Sequence, residues 1–86
     1  MTGNSIDPTP RARELRLALD GAVGLPTFDV ESISVLIQAG EWRVALEALC
    51  TQTDEYDLEV SAAQRSLLSR LGTALDVPVA HLLGDP

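Results

Sequence analysis

Glycine and proline cut this chain into short stretches whose apolar residues recur with the period of a helix. Gly21, Gly24 and Pro26, then Gly40, then Pro78 and Gly84, fall between those stretches. Within them Leu15, Ala18, Leu19 and Ala22 stand at i, i+3, i+4 and i+7, as do Trp42, Ala45, Leu46 and Leu49. Val30, Ile33, Leu36 and Ile37 form a broad apolar stripe. Leu67, Leu68, Leu71, Ala74 and Leu75 form another. No stretch alternates with period two over a useful length. The pattern predicts an all-α fold, a small bundle of four to five short helices.

End signals place the helices. Thr9-Pro10 pairs a hydroxyl N-cap with proline at the first helical position, where its missing N–H costs nothing. This helix ends by about Val23. A second helix is expected from Asp29, with Gly40 just past its end. A third opens at Glu41, and the very short connection predicts an antiparallel hairpin. Residues 51–60 read as a break, because Thr51, Thr53 and Asp54 compete for backbone hydrogen bonds. Ser61 to Gln64 is a capping box that starts the fourth helix. A last short helix starts at Pro78 and closes at Gly84. Trp42 is expected to be the largest contributor to the core.

At 86 residues the chain is one small domain. A polar tail, 1–8, is expected to be flexible, with a single helical domain over 9–86. A chain of this size buries roughly 60–65% of its unfolded surface. Net charge is −7, all six cations are arginines, and there is no lysine. Such a surface repels a phosphate backbone, so a basic protein is the better partner and nucleic acid a poor one. The alternative reading is that the acidity serves solubility alone. The single cysteine, Cys50, allows no intrachain disulfide and suits a reducing cytoplasm. It lies in the apolar run VALEALC and reads as a buried small hydrophobe. The first residues lack the pattern of a secretory signal. No apolar run approaches the ~20 residues of a membrane span.

Sites for chemistry are sparse. The one histidine, His81, has no serine or cysteine placed beside it by the sequence. DEYDLE, residues 54–59, lacks the alternating ligands and central glycine of a calcium loop. No Cys/His pair suits zinc, and no glycine-rich phosphate loop occurs. The expectation is no catalytic activity, no cofactor and no metal.

What stands out instead is TDEYDLEV, residues 53–60. Four carboxylates, Asp54, Glu55, Asp57 and Glu59, surround the only tyrosine, Tyr56. Either this is an acidic surface for a basic partner, or it is a solvated turn between two helices. Exposure of Tyr56 discriminates between the two.

Three resemblances bear on function. Residues 67–86, LLSRLGTALDVPVAHLLGDP, resemble the last two helices of Xre-type helix-turn-helix repressors, which would imply a small DNA-binding regulator or antitoxin. The recognition-helix pattern is missing, and only Arg65 and Arg70 supply positive charge in that half of the chain. LIQAGEWRVALEALC, residues 36–50, is similar to a tetratricopeptide helix boundary. It has no second copy, so it reads as local packing, or as the hairpin of a protein-interaction adaptor.

The third resemblance covers about half the chain. A helix ends in Gly-Glu-Trp at 40–42. Ala-Leu-Glu-x-Leu-Cys follows at 45–50, then Glu-Tyr-Asp at 55–57 and a Ser-capped helix. In these features residues 34–75 resemble the MafI-type immunity proteins of bacterial polymorphic toxin systems. The resemblance implies a non-enzymatic, cytoplasmic protein that binds and neutralises a cognate toxin domain. The acidic residues would complement a basic toxin cleft. The residues expected to meet the partner are Asp54, Glu55, Tyr56, Asp57 and Glu59, with Glu41 and Trp42 in addition.

Overall fold

The computed structural model describes residues 9–85. The tail expected over 1–8 lies outside the described residues, as does Pro86. Five helices follow one another: α1 (Thr9–Gly21), α2 (Thr27–Gln38), α3 (Trp42–Glu55), α4 (Ala62–Leu75) and the short α5 (Val79–Leu82). No strand occurs among the described residues. The all-α bundle expected from the periodicity is what forms.

α3 is the centre of the bundle and touches every other helix. Its inward face, Ala45, Leu46, Leu49 and Cys50, is fully buried. Leu15 and Ala18 of α1, Ile33 and Ile37 of α2, and Leu68 and Leu71 of α4 close around it. Val77 and Val79 seal the end beside α5. Each such leucine or isoleucine contributes about 1.5–3 kcal/mol by leaving water.

The helix ends follow their sequence signals with a few differences. α2 starts at Thr27, two residues before the expected Asp29, because Pro26 sets the entry and its carbonyl accepts from the N–H groups of Asp29 and Val30. At the other end Gly40, with φ +80°, places its N–H on Ile37 O, and Glu41 N–H reaches Leu36 O. This Schellman closure turns the chain straight into α3. α3 then runs through Thr53 and Asp54, where a break was expected. The Thr53 hydroxyl does not compete with the helix, because it donates to Leu49 O, 2.7 Å away and one turn back.

Ser61 caps α4 by accepting from Gln64 N–H at 3.1 Å. The other half of the expected capping box is absent. The Gln64 amide instead donates to Ala18 O at 2.6 Å, tying α4 to α1. Ala74, expected inside, is exposed. Trp42 is only partly buried, at the rim of the hairpin turn, with its indole N–H donating to Ile37 O at 3.2 Å. The largest fully buried side chains are leucines.

Candidate functional site

The acidic stretch divides between a helix and a turn. Asp54 and Glu55 belong to the last turn of α3, Tyr56 is its C-cap, and Asp57 to Val60 lead to α4. The closure repeats that of α2: Asp57 N–H bonds Asp54 O and Leu58 N–H bonds Thr53 O. Here the left-handed position, φ +54°, is filled by Asp57 instead of glycine. Asp54, Glu55, Asp57 and Glu59 are all exposed. Carboxylates at a helix C-terminus oppose the macrodipole, each by about 0.3–1 kcal/mol at low salt. These charges are therefore not placed for the stability of the helix.

Tyr56 faces outward, 45% exposed, yet its hydroxyl is fixed. It donates to Asp29 Oδ2 at 3.1 Å, while Gln52 Nε2 donates to Asp29 Oδ1 at 2.7 Å. Asp29 itself is 9% exposed. It stands at the third position of α2, where the helix N-terminus favours a carboxylate. One buried carboxylate thus staples the start of α2 to the end of α3. The bond to Asp29 raises the Tyr56 pKa above its ordinary value, with desolvation and the negative charges of Asp29 and Glu55 adding to it. Tyr56 is therefore a neutral donor at physiological pH, and the orientation of its ring is set before any partner arrives.

Beside this staple, α2 and α3 leave a groove of about 350 Å³. Phe28, Ser32 and Leu36 form one wall, and Val44, Ala48 and Thr51 form the other. Phe28 is 77% exposed and Val44 44% exposed, so two large apolar side chains stand in water at its opposite ends. On the other side of the acidic turn, Asp57 to Ser61 border an open recess of about 820 Å³ against Gly21 and Val23.

The structure separates the expected site residues into two places. Asp54, Glu55, Tyr56, Asp57 and Glu59 share the tip of α3. Glu41 and Trp42 lie at the other end of that helix, about 20 Å away at the helical rise. Asp29, Gln52 and Phe28 were missed. Asp29 meets Gln52 and Tyr56 only through tertiary packing, which no local pattern reveals. The placement of charge was readable, however. Eight of the thirteen acidic residues and one of the six arginines fall within 27–60, so that segment carries −7. The remaining five acids and five arginines balance.

The one arginine of that segment, Arg43, is turned away: its guanidinium donates to Asp76 Oδ2 and O at 3.3 Å. In the balanced part Arg11 pairs with Glu14 at 2.8 Å and Arg65 with Asp85 at 2.7 Å. Pairing of Arg65 leaves the Xre-like end with little free positive charge for DNA.

Chemistry elsewhere is muted. Cys50 is fully buried, and burial pushes its thiol pKa up to about 12, far from a nucleophilic thiolate. His81 is exposed on α5. Among the described residues no three His, Cys, Asp or Glu side chains are placed to hold one metal ion, and no helix is long and apolar enough to cross a membrane.

No family model matches the chain, and no curated protein or solved structure is found similar to it.

Proposed function

We propose that this chain is an immunity protein: a non-catalytic, cytoplasmic inhibitor that binds a cognate toxin domain through the acidic, aromatic side of its α2–α3 hairpin. The observation that carries the reading is Tyr56, exposed and yet held by Asp29 in the middle of four exposed carboxylates. A tyrosine fixed in this way offers a partner contact area and loses little rotamer freedom on binding. The carboxylates speed encounter with a basic cleft and disfavour acidic partners. Their position at the C-terminal end of α3 works against helix stability, which fits selection for a surface. Glu41 and Trp42, at the far end of α3, would take part only if the partner spans the whole hairpin.

The test is co-expression with the product of the adjacent gene. Co-purification and protection of the host are expected. Tyr56→Ala combined with Asp54→Lys and Asp57→Lys should weaken capture by at least about a hundredfold, the scale of a central interface cluster. Unchanged affinity in that variant removes the assigned surface. Failure to bind any neighbouring product removes the immunity role.

A further inference from the structure

The groove between α2 and α3 is distinct from the acidic tip, and its shape is more specific than a charged surface. Its walls come from two antiparallel helices. Along α2 the wall runs Phe28, Ser32, Leu36; along α3 it runs, in the opposite direction, Thr51, Ala48, Val44. The small residues, Ser32 and Ala48, lie in the middle, and larger apolar ones stand at the ends. From Phe28 to Leu36 the wall is about 12 Å long at roughly 1.5 Å per residue. That length matches about two helical turns, the span covered by apolar residues at i, i+3, i+4 and i+7 of a docked helix.

The charge around the groove is of one sign. Glu47 lines it, Glu31 is exposed one residue before Ser32, and Glu55 is exposed one turn beyond Thr51. No arginine lines it, since Arg43 points to Asp76. A second copy of this chain would bring two segments of −7 together, an arrangement that repels. A helix carrying Arg or Lys beside its apolar stripe would neutralise both rims while covering Phe28 and Val44.

We propose that this groove seats one cationic amphipathic helix of a protein partner, with a large apolar side chain entering between Ser32 and Ala48. The inference rests on the protein-binding reading above but not on the partner's being a toxin. Phe28 and Tyr56 would flank one end of the bound helix, on either side of the Asp29 staple.

Amide correlation spectra of the isotope-labelled full chain test it, titrated with three synthetic peptides. The first is a leucine–lysine peptide with leucines at i, i+3, i+4 and i+7. The second is a scrambled peptide of the same composition, and the third replaces lysine by glutamate. The first peptide should give saturable shifts at Phe28, Ser32, Leu36, Val44, Ala48 and Thr51. The scrambled peptide should bind at least about tenfold more weakly, and so should the first peptide to Phe28→Ala or Val44→Lys. Both substitutions are at exposed positions, so the fold is retained.

Equal binding of the scrambled peptide overturns the proposal, as do shifts confined to Asp54–Glu59 or an absence of binding. A dimer that Val44→Lys dissociates in sedimentation assigns the groove to a second copy and overturns it as well. Capture of the neighbouring gene's product that is unaffected by Phe28→Ala and Val44→Lys overturns the groove and leaves the inhibitor role standing. A peptide seated as described, with no such product captured, supports the groove and removes the toxin reading.

Discussion

The α2–α3 hairpin and the remainder of the bundle share one core but differ in surface charge. Outside 27–60, acids and arginines are equal in number, and Arg11–Glu14 and Arg65–Asp85 pair locally. The segment 27–60 holds the whole net charge, whereas exposed apolar side chains (Phe28 and Val44 here, Leu17 and Val23 outside) and a left-handed aspartate (Asp57 here, Asp76 outside) occur in both parts. Charge is therefore the feature that separates the two regions. The second also holds Tyr56 outward on Asp29 among four exposed carboxylates, which is why the partner surface is proposed there.

The largest expected effect falls in the balanced region and separates folding from binding. Leu68→Ala removes a fully buried side chain of α4 and should lower unfolding free energy by about 2–5 kcal/mol in denaturant titration. The folded fraction should still bind partner normally. Altered affinity there would mean that the binding surface extends beyond the hairpin.

Next is the staple. Asp29→Ala leaves Tyr56 and Gln52 without their shared acceptor and should reduce stability by about 2 kcal/mol. It should also weaken capture, because the tyrosine ring loses its fixed orientation. Asp29→Asn should restore part of both.

Tyr56→Phe should be milder, and its effect should depend on pH. The folded-state pKa of Tyr56 lies above the ordinary tyrosine value of 10.0. The stability it supplies is therefore fully present below that value and is lost as pH rises through the raised one. Alkaline unfolding curves of the two proteins should converge. As Tyr56 is the only tyrosine, its ionisation can be followed directly by ultraviolet absorbance. An ordinary or lowered pKa would contradict the bond to Asp29.

The smallest effect has the opposite sign. Asp57→Gly relieves the left-handed residue and removes a carboxylate near the α3 C-terminus. It should raise stability by about 0.5–1 kcal/mol and weaken partner capture. Lower stability would show that Asp57 is there for the turn.

Much of the bundle could be read from the sequence because its signals are local. Leu15, Ala18 and Leu19 repeat on one face of α1, Gly40 ends α2 in the conformation glycine favours, and Ser61 caps α4. Errors arose where a side chain finds a partner its type does not announce. Thr53 and Asp54 read as a break, but the Thr53 hydroxyl bonds within the helix. Gln64 looked like half of a capping box and instead reaches α1. Trp42 looked like core from its size, while its place at the hairpin turn keeps it at the rim. The site was half legible. The acidic cluster and Tyr56 stood out, but Asp29 lies 27 residues before Tyr56. The groove depends on which face α2 buries.

The most direct test compares two charge reversals of equal size. Glu47→Lys with Glu55→Lys changes the hairpin, and Glu14→Lys with Asp20→Lys changes α1. Each pair shifts net charge from −7 to −3. Capture of the adjacent gene's product, measured at one ionic strength, should fall by at least about tenfold for the hairpin pair and stay within about threefold for the α1 pair. Equal losses, or a larger loss from α1, would contradict the assignment of the partner surface to the α2–α3 hairpin.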